Sequence, residues 1–132
     1  MKQITNYIKE GLRINKNIII KKSPDNWSIE NAEDGDFVNW NGTELYFIYK
    51  CLNKELDKPK NLSSDTIIYH AAYNFNIKKL DIGPDSGVGD IKYPKNFSLA
   101  SEEKKEDFIE VLKDKGYEWN EDKKELIKIL KL

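Results

Sequence analysis

The chain has 132 residues, 39% hydrophobic and 34% charged, with a net charge of −1, which suffices for one compact core and is short for two. Near-neutrality denies it an overall field for holding a polyanion, and its single cysteine, Cys51, excludes an intrachain disulfide. No apolar run approaches bilayer length and the first residues have no apolar signal core, so the expectation is a soluble protein without a membrane partner.

Ile4, Tyr7, Ile8 and Leu12 recur at helical spacing around Gly11, which predicts a short N-terminal helix over 3–10. The β-branched run at 17–21 reads as a strand, 23–26 as a turn, 27–29 as a second short strand, and 31–35 as a polar, acidic turn. Charge is uneven here. Lys2, Lys9, Arg13, Lys16, Lys21 and Lys22 face only Glu10 within the first 22 residues, whereas 23–57 carries eight acidic residues against Lys50 and Lys54.

Asn41-Gly42 lies between two runs rich in β-branched and aromatic residues, the strongest short-range hairpin signal in the chain. A two-residue turn there pairs Trp40 with Thr43 and Val38 with Leu45. Val38, Trp40, Leu45, Phe47 and Tyr49 then share an apolar face, which should meet the core. Phe37, Asn39, Glu44, Tyr46 and Ile48 share a mixed one.

Residues 52–64 read as a surface loop. Over 66–74, Ser64 would suit a helix cap, but Ile67, Tyr69, Ala71 and Tyr73 alternate, which favours a strand. The Gly- and Pro-bearing stretch 81–90 reads as a loop. The tail is the most explicit segment: a leading strand at 97–99, Ser101 as helix cap, Glu102 and Glu103 in the first turn, and an apolar stripe of Phe108, Ile109, Val111 and Leu112. Gly116 is placed to stop the helix, and a hairpin follows over 117–129. The expected fold is a single α+β domain over 1–132, a small β-rich sheet or SH3-like partial barrel. To it are added the N-terminal helix (within 1–95) and a C-terminal strand-helix-hairpin unit (96–132).

Three motifs, Gly35-Asp36-Phe37-Val38, Leu99-Ala100-Ser101-Glu102-Glu103-Lys104 and Gly116-Tyr117-Glu118-Trp119, resemble those of a loose group of small proteins. That group comes from gut Bacteroides-type bacteria, their phages and mobile elements, and has no assigned activity or catalytic residues. What the resemblance implies is a phage or mobile-element setting.

Residues capable of chemistry are few. His70 is the only histidine, which removes a multi-His metal centre, and in an apolar-aromatic run it reads as structural. Cys51 reads as a small semi-buried side chain; a Cys51–His70 dyad depends on spatial proximity that spacing does not supply. Gly87-Val-Gly89 lacks the strand-to-helix context of a phosphate loop, and Asp81, Asp85 and Asp90 match no calcium-loop spacing. No catalytic residue, metal ligand or cofactor is assigned.

The leading expectation is therefore a non-enzymatic protein-interaction module, a virion component or a small effector of a host protein. It would act in the cytoplasm of a bacterial host cell or in the virion, and would contact an unidentified protein partner through Tyr46, Tyr49 and Trp27. Oligomerisation is left open. The alternative is nucleic-acid binding, with Lys9, Arg13, Lys16, Lys21 and Lys22 following phosphates while exposed aromatics stack on bases.

Overall fold

The computed structural model describes residues 26–129. The helix expected at 3–10, the strand at 17–21 and the basic residues Lys9, Arg13, Lys16, Lys21 and Lys22 lie outside them.

Among the described residues, eight strands and one α-helix make an α+β fold dominated by antiparallel sheet. They are β1 (Phe37–Trp40), β2 (Leu45–Leu52), β3 (Thr66–Asn74), β4 (Lys79–Ile82), β5 (Gly87–Asp90), β6 (Phe97–Leu99), α1 (Glu102–Asp114), β7 (Tyr117–Asn120) and β8 (Glu125–Lys128). Six strands form the main sheet in the order β4-β3-β2-β1-β6. β5 also pairs with β3, beside the stretch of that strand that β4 does not use. β7 and β8 form a separate hairpin. Among the described residues no helix is long and apolar enough to cross a membrane.

The hairpin β1–β2 forms, with a longer connection than the two-residue turn. Val38 pairs with Phe47 and Asn39 with Tyr46, leaving 41–44 as the loop. The reason is Asn41, which is not used as a positive-φ turn residue. Its backbone N–H donates to the Asn96 carbonyl (2.7 Å), its side-chain amide to the Lys95 carbonyl (2.8 Å), and its side-chain oxygen accepts from the Ser98 hydroxyl (2.6 Å). Asn41 thus extends the β1–β6 contact while Gly42, at φ +79°, makes the turn. A Cβ at Gly42 would touch nothing within 4 Å, so Gly42→Ala should cost only the left-handed conformation. About 1 kcal/mol is expected in chemical denaturation; an unchanged midpoint would show that the turn relaxes freely.

The register differs from the expected one by two residues, an even number, so the faces stay as assigned. Val38, Phe47 and Tyr49 enter one buried cluster with Ile29, Leu52, Ile67, Tyr69, Ala72, Val88 and Phe97, and Trp40 and Leu45 pack against it. The mixed face is covered as well. Phe37, Ile48, Ala71 and Tyr73 form a second cluster with Phe108 and Leu112 of α1 and Trp119 of β7. Phe37 meets Phe108 (5.5 Å) and Trp119 (6.0 Å) edge-on. The sheet is therefore a central layer with a core on each side.

The helix begins as its residues dictate: the Ser101 hydroxyl accepts the Lys104 N–H (3.2 Å), and the chain reverses at Gly116, φ +92°. Two expectations are corrected. Residues 27–29 are not a strand; Ile29–Asn31 is a 3-10 turn, because the Ser28 hydroxyl accepts the Glu30 N–H and the Asn31 side chain accepts the Ser28 N–H. Nor is 81–90 simply a loop, since it supplies the end of β4 and all of β5. Glycine serves close packing there. A Cβ on Gly87 would lie 2.3 Å from the Thr66 methyl, and one on Gly89 2.8 Å from the Phe97 ring and 3.3 Å from Trp40. Gly89 thus lets β5 approach the β1–β6 end of the sheet. The sheet is open rather than closed as a barrel: β5 pairs with β3 and β6 with β1, and β5 and β6 do not pair.

Candidate functional site

β2 and β3 each carry one residue in excess within their ladder. Tyr49 pairs with Tyr69 and Cys51 with Ile68, which leaves Lys50 without an opposite number; Phe47 pairs with Ala72, so His70 and Ala71 together face Ile48. The two bulges bring Lys50 and His70 to one place. With Ile82, Gly83 and Pro84 at the end of β4 and Tyr117, Leu126 and Lys128 of the β7–β8 hairpin, they line a pocket of about 190 Å³.

His70 is fixed from three sides. Its Nε2 lies 2.6 Å from Asp34 Oδ1, its ring packs on Trp119 (5.0 Å between centroids, 60°), and its carbonyl accepts the Gly83 N–H (2.8 Å). Asp34 is held within reach because the turn before β1 is tied to β2: Gly35 N–H donates to the Tyr49 carbonyl and Tyr49 N–H to the Asp36 carbonyl, both at 2.8 Å. Trp119 is buried and donates its indole N–H to Glu121 (3.1 Å). Burial pushes the Glu121 carboxyl up, but hydrogen bonds from Lys124 and Trp119, with Lys105 nearby, reverse this and leave its pKa lowered.

The pocket joins opposite chemistries. Ile82, Pro84 and Leu126 supply apolar wall, and Lys50 and Lys128 supply positive charge. Among the described residues neither lysine has a carboxylate within salt-bridge distance; Lys54, Lys60, Lys104, Lys105, Lys113 and Lys124 are paired and Lys58, Lys78, Lys79, Lys92, Lys95, Lys115 and Lys123 are not, so what sets Lys50 and Lys128 apart is their shared place on the pocket lining.

The aromatic residues picked from the sequence do not form an exposed patch. Tyr49 is buried in the first core cluster. Its phenol is pushed up to about 12, chiefly by burial and then by Glu55, Cys51, Asp34 and Asp36. Tyr46 is half-buried, edge-on to Phe75 (5.4 Å), with the Lys104 ammonium 5.8 Å from its ring centre and Glu44 3.7 Å from that ammonium. Trp27 is half-buried against the first cluster and donates its indole N–H to Asp36 (3.1 Å). Nothing local in the sequence announces that α1 folds back over the mixed face.

Cys51 and His70 share no hydrogen bond among the described residues. The thiol pKa is raised, mainly by burial, with Lys50 opposing and Glu55 and Asp34 adding, so it is held protonated rather than as a nucleophile. Gly87-Val-Gly89 is ladder strand, and the three aspartates are engaged separately: Asp81 with the Tyr69 hydroxyl, Asp85 with Lys60 (3.0 Å), and Asp90 with the Lys92 N–H (2.8 Å).

Tyr69 is also raised, by burial first and then by the bond to Asp81. A phenol whose folded pKa lies above its unfolded value of 10 stabilises fully below that value and loses its contribution as pH rises beyond it. Stability should therefore fall above pH 10, and Tyr49→Phe should flatten that fall. Denaturant midpoints measured on either side of pH 10 check this; identical slopes for the two proteins would remove Tyr49 as a cause.

Of the pocket, only His70 was singled out from sequence. Tyr117 and Trp119, and Leu126 and Lys128, alternate with outward residues and mark a hairpin face, but which face of the sheet it covers is a tertiary matter. A scan against protein-family models, a search of curated proteins and a search of solved structures each found no significant match to the chain.

Proposed function

We propose that the chain is a non-enzymatic protein-interaction module of phage or mobile-element origin, a virion component or a small effector of a host protein, that binds its partner at the Lys50–His70–Lys128 pocket. The observation that carries this reading is the pocket's size and lining. At about 190 Å³ it is below the roughly 300–1,000 Å³ of ordinary cofactor and drug-sized ligand sites and suits a single side chain of another protein. Ile127 of β8 and the following Ile129 add exposed apolar surface to the same hairpin. The origin rests on the tail motifs. This reading moves the contact from Tyr46, Tyr49 and Trp27, whose rings are wholly or partly enclosed.

The test is site-specific photocrosslinking in bacterial lysate, with a photoreactive residue at exposed position 85, next to Pro84 but outside the pocket lining, and a control at exposed position 95. Discrete adducts from position 85 that are absent from position 95 are expected. Adducts from 95 but not 85 would place the contact elsewhere. Retention on single-stranded DNA that survives Lys50→Gln/Lys128→Gln and is lost on neutralising Lys9, Arg13, Lys16, Lys21 and Lys22 would favour nucleic-acid binding instead.

A further inference from the structure

Resting on that reading, we infer that the pocket recognises an acidic segment of the partner protein: a carboxylate side chain enters between Lys50 and Lys128, and an adjoining apolar side chain lies on Ile82, Pro84 and Leu126. Charge complementarity argues for this occupant. Lys50 and Lys128, which line the pocket, have no carboxylate partner among the described residues. Asp34, whose Oδ1 lies 2.6 Å from His70 Nε2, is not within salt-bridge distance of either lysine. A peptide acid brings the missing counter-charges and keeps its own hydration at the open mouth.

The architecture also restricts what enters. The histidine is not available as a third cation donor, because its Nε2 is turned to Asp34, its other face is covered by Trp119, and its side chain is 9% exposed. Gly83 offers no backbone donor, since its N–H is taken by the His70 carbonyl, and Pro84 has none. A phosphate cradle needs converging N–H groups, and here recognition falls to two flexible ammonium groups over an apolar wall. That combination fits a carboxylate carried on an aliphatic stem better than a compact inorganic anion.

Backbone-amide NMR of the full chain tests this with three probes: acetyl-Leu-Glu-amide, acetyl-Leu-Gln-amide and inorganic phosphate. The glutamate peptide should shift the amides of Lys50, His70, Gly83, Leu126 and Lys128 saturably at millimolar concentration, roughly five- to tenfold more tightly than the other two probes. Added salt should weaken it. Lys50→Gln/Lys128→Gln, which keeps part of each aliphatic stem and is checked for folding by circular dichroism, should abolish the preference for glutamate over glutamine. Equal binding of the two peptides, preference for phosphate, or no shift at these amides would overturn the inference. Position-85 crosslinks that persist without glutamate preference would remove only the charge argument; loss of both would remove the interaction site as well.

Discussion

Trp119→Ala should lower the stability of the protein by about 3–5 kcal/mol, the range for emptying a large buried aromatic site. Trp119 lies between elements otherwise distant in sequence. Its ring meets Phe37 of β1 and His70 of β3, its strand partner is Leu126, and its indole N–H is held by Glu121. Truncation leaves a void against Phe37 and removes the surface on which the β7–β8 hairpin rests. Ile127→Ala, on the same hairpin but 38% exposed, is the control and should stay near 0.5 kcal/mol. Comparable denaturation midpoints for the two variants would mean that the hairpin does not depend on Trp119 to dock.

Asn53→Ala is expected to cost about 2–3 kcal/mol, and Asn53→Asp more. Asn53 is 1% exposed and organises the loop between β2 and β3 from inside. Its side-chain amide donates to the carbonyls of Lys60 (3.0 Å), Leu62 (2.9 Å) and Ser63 (3.2 Å), and its oxygen accepts the Lys60 N–H (2.7 Å). Alanine leaves these groups without their partner. Aspartate keeps the acceptor but turns a carboxylate oxygen toward three carbonyl oxygens, which is repulsive as well as unsatisfied. Because a protonated carboxyl regains a donor, the aspartate variant should recover part of its loss as pH falls. If alanine and aspartate behave alike at every pH, the amide donor is not what holds the loop.

How much was legible depended on whether the deciding information was local. The helix at Glu102–Asp114 carries its dipole charges within it and its cap, Ser101, and stop, Gly116, beside it, and β3 alternates enough to be read as a strand, although its bulge sends Ile67 and Tyr69 to one core and Ala71 and Tyr73 to the other. The hairpin faces came out correctly from a wrong loop length because the difference was even; a difference of one residue would have inverted them. β5 escaped notice because Gly87 and Gly89 look like loop residues until Thr66, Phe97 and Trp40 are seen against them. The choice of Tyr46, Tyr49 and Trp27 as contact residues had a similar cause. One buried face leaves rings over for binding, but α1 and β7–β8 provide a second core that takes up Phe37, Tyr73 and part of Tyr46. The pocket was the least legible part, since it is assembled from two ladder irregularities, a strand end and a hairpin more than forty residues downstream of His70.

The paired bulges of β2 and β3 behave like two compensating frameshifts. Leu45↔Asn74 and Leu52↔Ile67, at opposite ends of the ladder, have the same register, because the excess residue on one strand cancels that on the other. Loss of either insertion alone would turn everything beyond it to the wrong face, exchanging Ile67 and Tyr69 of one core with residues meant for the other. The side chains at the insertions are under no such constraint. Lys50 has no cross-strand residue to match, and His70 shares its opposite number with Ala71, so the chemistry of the pocket can change identity while the sheet keeps its phase.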